Sequence, residues 1–261
     1  MPASININNM AKLSSLMNDE ILDDINSFHH KSAYLLDQRF SHYGQFPMPK
    51  EALSQFEYTD NEISPFFYES VPLKAHADLN QRRSGSQLFF KDQKLPFQDF
   101  ETLLCESFAA NEEKKRPYPS GGALYPVEVF AVVMSERMLN TPQTGVYHFR
   151  PNLSLMQKLK STSIAQIYDT IFIEDEKQLG KPCFALVYVV NLQKAIVKYS
   201  YRGYRNALCE VGSMYQQADL ISKKLNIKNR LSSSFSDQQM VKFLELDRQT
   251  YLPIVLQYFG Y

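Results

Sequence analysis

The sequence predicts an α+β fold, on three observations. Two runs of β-branched, aromatic and small apolar residues, 127–134 (VEVFAVVM) and 183–190 (CFALVYVV), are long enough for buried strands. Residues 200–225 carry apolar side chains at helical spacing for more than twenty positions. Helices fall before and after the strands without strict alternation, which argues against a parallel doubly wound sheet.

Taken in order, residues 1–78 read differently from 79–261. Leu13, Leu16, Met17, Ile21, Leu22 and Ile25 recur at helical spacing in 12–28. A proline-punctuated stretch follows (Pro47, Pro49, Pro65 and Pro72 among Phe46, Phe56, Phe66, Phe67 and Tyr68), with too much apolar surface for a free linker. From Leu79 the pattern is regular. Phe97, Phe100, Leu103, Leu104 and Phe108 share one face of a helix over 97–109. Shorter strands are expected at 146–149 and 253–259. In the long helix, Tyr204, Leu208, Val211, Tyr215, Ala218 and Leu225 form the expected core stripe. Beside it runs a small or polar stripe, Gly203, Asn206, Glu210, Ser213 and Gln217, which needs partners and is expected at or near a subunit interface. Ser236 and Gln239 make a capping box before Met240, Phe243 and Leu244.

Composition excludes several function classes. Lys plus Arg number 28 and Asp plus Glu 28, so no global field recruits nucleic acid or an anionic membrane. The nine glycines include no two at the spacings of G-x-G-x-x-G, G-x-S-x-G or Walker A loops. Cys105, Cys183 and Cys209 are odd in number and far apart, which fits neither a disulfide framework nor a thiolate zinc site. The five histidines include no H-E-x-x-H pair, and no metal site is expected. The amino terminus lacks a basic segment followed by an apolar run, and no stretch approaches about 18 apolar residues. A cytoplasmic location is the expectation.

Three segments are candidates for chemistry. Arg82-Arg83-Ser84 offers two planar donor forks and a hydroxyl to an anion, or else is a solvated basic turn. Pro119-Ser120-Gly121-Gly122-Ala123-Leu124-Tyr125-Pro126 holds the only Gly-Gly pair, bracketed by prolines directly before a strand. Such a turn lets bare backbone approach a flat ligand, although a plain tight turn has the same signature. Lys198-Tyr199-Ser200-Tyr201-Arg202-Gly203-Tyr204-Arg205 places three phenols and three cations at the head of the long helix. That pattern suits single-stranded nucleic acid or a snorkelling surface. It also suits a lysine base, because like charges at a helix amino terminus favour the neutral amine.

These segments resemble the SagB-type flavin enzymes of the nitroreductase superfamily. More closely, the chain resembles the dehydrogenase subunit of thiazole/oxazole-modified microcin synthetases, through 116–126 (RPYPSGGALYP), 179–188 (LGKPCFALVY), 212–216 (GSMYQ) and 228–230 (KNR). The resemblance covers 79–261. It implies a nitroreductase-like, mostly antiparallel sheet flanked by helices, in an obligate FMN-binding homodimer with the flavin at the subunit interface. Arg82, Arg83 and Ser84 would hold the phosphate and ribityl side. Pro119, Ser120, Gly121 and Gly122 would line the ring edge, and Lys198 and Tyr199 fall on the family's catalytic pair. The wider family's clamp reads R-R-S-x-R, whereas the last position here is Ser86. Arg202, Arg205 or Arg230 would then meet part of the phosphate charge.

The activity so implied is oxidation of thiazoline and oxazoline rings in a ribosomal precursor peptide to thiazoles and oxazoles, during bacteriocin maturation. A cyclodehydratase and a leader-peptide-binding subunit are the implied partners, with no role for nucleic acid or membrane. Residues 1–78 would be an extension for partner docking or for covering the flavin. Two other readings stay open, a NAD(P)H-dependent nitroreductase and a flavin-free scaffold or RNA-binding subunit.

Overall fold

Strand β6 (Phe184–Asn191) runs through the middle of the molecule with all eight residues buried. It pairs antiparallel with β2 (Val127–Val133) on one side and β8 (Tyr251–Gly260) on the other. Beyond β2 lie β4 (Gly145–Arg150) and β5 (Leu155–Ser161), and beyond β8 lies β7 (Lys228–Ser232). The sheet order is β5-β4-β2-β6-β8-β7, with every pairing antiparallel. A separate parallel pair joins β1 (Leu95–Pro96) to β3 (Met138–Leu139). The computed structural model describes residues 18–30, 90–171 and 179–261, all within one compact unit. Arg82, Arg83, Ser84 and Ser86, the proline-punctuated stretch and the start of the helix expected at 12–28 lie outside the described residues.

The helices are α1 (Asp19–His30), α2 (Phe97–Phe108), α3 (Ile164–Ile171), α4 (Leu192–Ile196), α5 (Tyr201–Lys224) and α6 (Asp237–Phe243). Alternate residues of β6 face opposite ways, as the pleat requires. Phe184, Leu186, Tyr188 and Val190 join a core with Phe100, Leu104 and Phe108 of α2 and Ala207, Val211 and Met214 of α5. Ala185, Val187 and Val189 join a second core with Ile167 and Ile171 of α3 and Met240 and Phe243 of α6. Covered on both faces, β2 and β6 need apolar residues at nearly every position, which is why they read as continuous runs.

The expected strands and helices at 127–134, 183–190, 146–149, 253–259, 97–109 and 200–225 all form, with shifts at their ends. Ser236 caps α6 by accepting the Gln239 N–H. Strands β5 and β7 and helices α3 and α4 were not anticipated. Strand β5 (LMQKLKS) is a sheet edge with Leu155 and Leu159 exposed, so its side chains do not sort into an apolar and a polar face. Helix α4 has five residues, too few for a period.

Helix α5 keeps most of its expected core stripe, with Val211 and Ala218 buried and Tyr204, Tyr215 and Leu225 packed against the core. Its buried residues include Gly203, Ala207, Glu210, Val211, Met214, Ala218 and Ile221, whereas Leu208 is exposed. Of the stripe of small and polar residues, Gly203 and Glu210 lie inside the protomer, and Asn206, Ser213 and Gln217 are half-buried. Small groups are what allow this 24-residue helix to lie close to α4 and the sheet. Its far end is fixed by a polar chain. Tyr188 Oη donates to Gln257 Oε1 (2.7 Å), Gln257 Nε2 donates to Asn229 Oδ1 (2.8 Å), and Asn229 Nδ2 donates to Asp219 Oδ1 (2.7 Å) and Ser222 Oγ (2.8 Å). Helix α1 packs over the near end, where Tyr201 Oη donates to Asp24 Oδ2 (2.6 Å) and Tyr204 Oη meets His29 Nδ1 (3.0 Å). No described helix is long and apolar enough to cross a membrane.

A side chain on Gly203 would meet the Ala195 carbonyl and the Ile196 Cα, backbone atoms that cannot swing aside. Gly203→Ala is expected to lower unfolding stability by about 1–3 kcal/mol, the usual range for overpacking. Urea unfolding followed by circular dichroism measures this, and an unchanged midpoint would show that α4 yields.

Candidate active site

Between α2 and β2 the chain makes a shaped turn over 116–126. Gly122 sits at φ 64°, ψ 22°, and Ala123 (φ 55°) and Tyr125 (φ 48°) share the left-handed region. A non-glycine residue there costs about 1–2 kcal/mol, so the surroundings must hold it. Ser120 Oγ accepts the Tyr125 N–H (2.8 Å), and the Ala123 N–H donates to the Ser120 carbonyl (3.1 Å). Arg116 Nη1 donates to Tyr118 Oη (3.0 Å), while its guanidinium lies 4.4 Å from the centre of the Tyr125 ring. Tyr118 and Tyr125 meet edge to face at 5.9 Å.

The second wall is the reversal from α4 to α5. Asn191 caps α4 by accepting the Lys194 N–H (3.0 Å), and α4 ends after Ile196. Residues 197–200 form a turn, closed by the Ser200 N–H donating to the Ile196 carbonyl (2.8 Å), with Ser200 at φ 49°. Lys198 and Tyr199 are therefore not in regular helix, where neighbours would point about 100° apart. Both reach the glycine turn instead. A Cβ built on Gly122 would lie 2.5 Å from Tyr199 Oη and 2.9 Å from Lys198 Nζ, and one on Gly121 would lie 3.0 Å from Asn206 Nδ2. Lys198 Nζ stands 5.4 Å from the centre of the Tyr199 ring. The Gly-Gly pair thus has a reason inside the protomer, since side chains there would displace Tyr199, Lys198 and Asn206.

Behind the turn lies a charge cluster in which Glu210 is buried and Glu128, His148 and Lys194 are half-buried. Glu210 of α5 is only 3% exposed, and among the described residues no hydrogen bond reaches either carboxylate oxygen. Burial pushes it up to about 7, against the pull of Ser120, the Val127 N–H, Arg116 and Lys194. Glu128 of β2 meets His148 Nε2 at 3.0 Å and Lys194 Nζ at 4.0 Å. Burial alone would raise Glu128, but the His148 hydrogen bond and the Lys194 and Arg116 charges hold it below the ordinary carboxylate value. Burial lowers Lys194, with Glu128 opposing. It also raises the Tyr118 phenol well above its ordinary value, against the pull of Arg116.

Of the sequence candidates, the structure brings together Ser120, Gly121, Gly122, Lys198 and Tyr199, with Pro119 leading in. Arg202 and Arg205 are exposed on the first turns of α5, which hold no acidic residue. Arg230 is on β7, beyond the opposite end of a helix about 36 Å long at 1.5 Å per residue. Within one protomer it does not join the cluster. Arg116, Tyr118, Glu128, Lys194 and Asn206 were missed as site residues. Arg116 and Tyr118 stand within the quoted motif, but only the folded arrangement shows that they brace the turn.

Known proteins share this fold. The Microcin B17-processing protein McbC of Escherichia coli is 37% identical over 217 residues, covering 82% of this chain and 80% of that protein. A chain in the structure of the E. coli microcin synthetase McbBCD complex with truncated pro-MccB17 bound superposes with a TM-score of 0.86. Its identity is 33%, over 97% of each chain. A nitroreductase structure from Anabaena variabilis shares the fold at TM-score 0.56 and 19% identity, over 62% of this chain and 34% of that one. The sequence profile of the Nitroreductase family matches residues 79–261. With its antiparallel sheet, glycine turn and Lys198–Tyr199 reversal, the chain belongs to the nitroreductase family of oxidoreductases.

Proposed function

We propose that the protein oxidises thiazoline and oxazoline rings of a ribosomal precursor peptide to thiazoles and oxazoles, using FMN, as one subunit of a bacteriocin synthetase. The carrying observation is the convergence of Lys198 and Tyr199 on the bare backbone of Gly122. An amine and a phenol meet there beside backbone that carries no side chain. The likeness to a microcin-processing protein and to a chain of a microcin synthetase complex supports the substrate class. In this reading the partners are a cyclodehydratase, which makes the azoline, and a leader-peptide-binding subunit, all in the cytoplasm. Residues 1–78 serve as an extension for docking or for covering the site.

The described residues fit a flavin. The bare backbone of Gly121 and Gly122, bordered by Lys198, Tyr199 and Asn206, would face the ring edge, and Arg202 and Arg205 would present exposed charge to a phosphate. When bound, FMN supplies the acceptor for two electrons leaving as hydride. The protein's own share is the other hydrogen. Lys198 Nζ, or Tyr199 Oη beside it, takes the proton from the acidic ring carbon. The rigid turn holds the ring against both groups.

The outer face of α5 supports a homodimer. Arg205, Leu208, Cys209, Gln216 and Leu220 are exposed along one stripe. Gly212 lies on it with nothing closer to an added Cβ than Tyr215 Oη at 3.9 Å. A helix-interior glycine costs about 1 kcal/mol relative to alanine, and no contact among the described residues calls for one at this position. Close approach of a second copy does.

Two outcomes are expected. Lys198→Ala and Tyr199→Phe keep bound FMN but lose about 10²–10⁴-fold in azoline oxidation, the usual loss for a general base. Single-turnover flavin reduction by an azoline peptide, on variants of matched flavin content, checks this. Near wild-type rates in both would overturn the catalytic assignment, and turnover of nitroaromatics with NAD(P)H in place of azolines would overturn the substrate. Gly212→Arg fits the isolated protomer but sediments as a folded monomer depleted of FMN. A stable FMN-loaded dimer in that variant would remove α5 from the interface.

A further inference from the structure

Resting on the azoline-oxidation reading above, we infer that Asn206 is a further catalytic residue, whose side-chain N–H donates to the substrate's amide oxygen as the acidic ring proton leaves. Lys198 and Tyr199 border Gly122, and Asn206 borders Gly121 from the second turn of α5. A Cβ built on Gly121 would lie 3.0 Å from Asn206 Nδ2, 3.3 Å from its Cβ and 3.4 Å from its Cγ, so the side chain packs along that backbone with its nitrogen nearest. The two glycines are neighbours, about 3.8 Å apart at Cα. The amide nitrogen therefore stands one residue along from the groups placed to take a proton. Asn206 is half-buried, and the helix that carries it is fixed one turn earlier, where Gly203 meets the Ala195 carbonyl. Among the described residues no side-chain hydrogen bond or ion pair engages Asn206, Lys198 or Tyr199, and Lys198 Nζ meets only the Tyr199 ring. Asn206 thus keeps its two N–H donors for a ligand.

The substrate's chemistry asks for such a donor. An azoline built from Cys, Ser or Thr keeps that residue's Cα as a ring atom, with the residue's own carbonyl attached to it. The hydrogen on this carbon is acidic because the carbonyl can take up the charge. When Lys198 Nζ or Tyr199 Oη takes the proton, the C–H bond breaks and its electron pair moves onto the carbonyl oxygen. The pair returns to form the ring C=C bond as hydride leaves the neighbouring ring carbon for the flavin, so one proton and one hydride are lost in all. A donor already aimed at the oxygen stabilises the charge as it develops, at no cost of reorganisation. That oxygen is two bonds from the carbon that loses its hydrogen, so donor and base must occupy adjacent positions. Asn206 at Gly121 and the Lys198–Tyr199 pair at Gly122 do so.

The test is deuterium uptake from solvent at that ring carbon of an azoline peptide, read by mass spectrometry on the FMN-loaded protein held reduced and anaerobic. Reduced flavin accepts no hydride, so uptake reports proton removal alone. Asn206→Leu keeps the branched shape of the side chain and removes its hydrogen-bonding groups, and Asn206→Ala removes them with no risk of crowding the turn. Both are expected to lower uptake about 10²–10³-fold, the usual cost of one such donor. Their FMN dissociation constants and melting temperatures should stay near wild type. Uptake near the wild-type rate in either variant overturns the role of Asn206. So does a loss of FMN affinity or of melting temperature in both, which would make Asn206 a brace of the turn or a flavin contact. Wild type that oxidises azolines yet takes up no deuterium when reduced would show that no charge gathers on the oxygen, and overturns the inference while sparing the reading beneath it. Wild type that binds FMN but oxidises no azoline overturns that reading and the inference with it.

Discussion

The contact between Gly203 and the Ala195 carbonyl governs the geometry of the rest. With no Cβ in the way, the first turn of α5 presses against the end of α4, and the chain must reverse in the four residues 197–200. That forces Ser200 into positive φ and leaves Lys198 and Tyr199 on the outside of the bend. They are held against the glycine turn because α5, passing beneath it, also supplies Asn206 and Glu210. One close backbone approach thus sets the two groups above the turn and the acid behind it.

The turn itself is strained and heavily braced. Left-handed Ala123 and Tyr125 persist because Ser120, Arg116 and Tyr118 fix them through hydrogen bonds and ring contacts. Arg116 has a second role, as the cation shared by Glu210 and Glu128. Buried carboxylates are tolerable only with such partners. Here Glu128 has His148 and Lys194 close by, while Glu210 has only through-space help. The asymmetry leaves one carboxyl firmly ionised and the other poised near neutrality.

Much of the fold was legible because β2 and β6 are covered on both faces, so burial is written at almost every position. The sheet edges were not legible, since β5 mixes lysines and exposed leucines and β7 (KNRLS) has no apolar run. The inward face of α5 was legible except at Leu208. Tyr204, Val211, Tyr215, Ala218 and Leu225 face the core as expected, but where the inner face is crowded against α4 and the turn it takes Gly203 and Ala207, leaving Leu208 outside. The Gly-Gly turn and the Lys198–Tyr199 pair stood out as local patterns. Arg116, Lys194 and Asn206 did not, because their roles arise from side chains converging across nearly a hundred residues of sequence.

Helix α5 is locked at both ends, against Ala195 at Gly203 and into the Tyr188–Gln257–Asn229 chain at Asp219. Sixteen positions separate those anchors. One residue added or removed between them would turn one end by about 100° and slide it about 1.5 Å relative to the other. The polar chain would break or Glu210 would leave the turn. The helix can exchange most of its side chains, but relatives that keep both anchors must keep the number of residues between them, and length variation is confined to the loops.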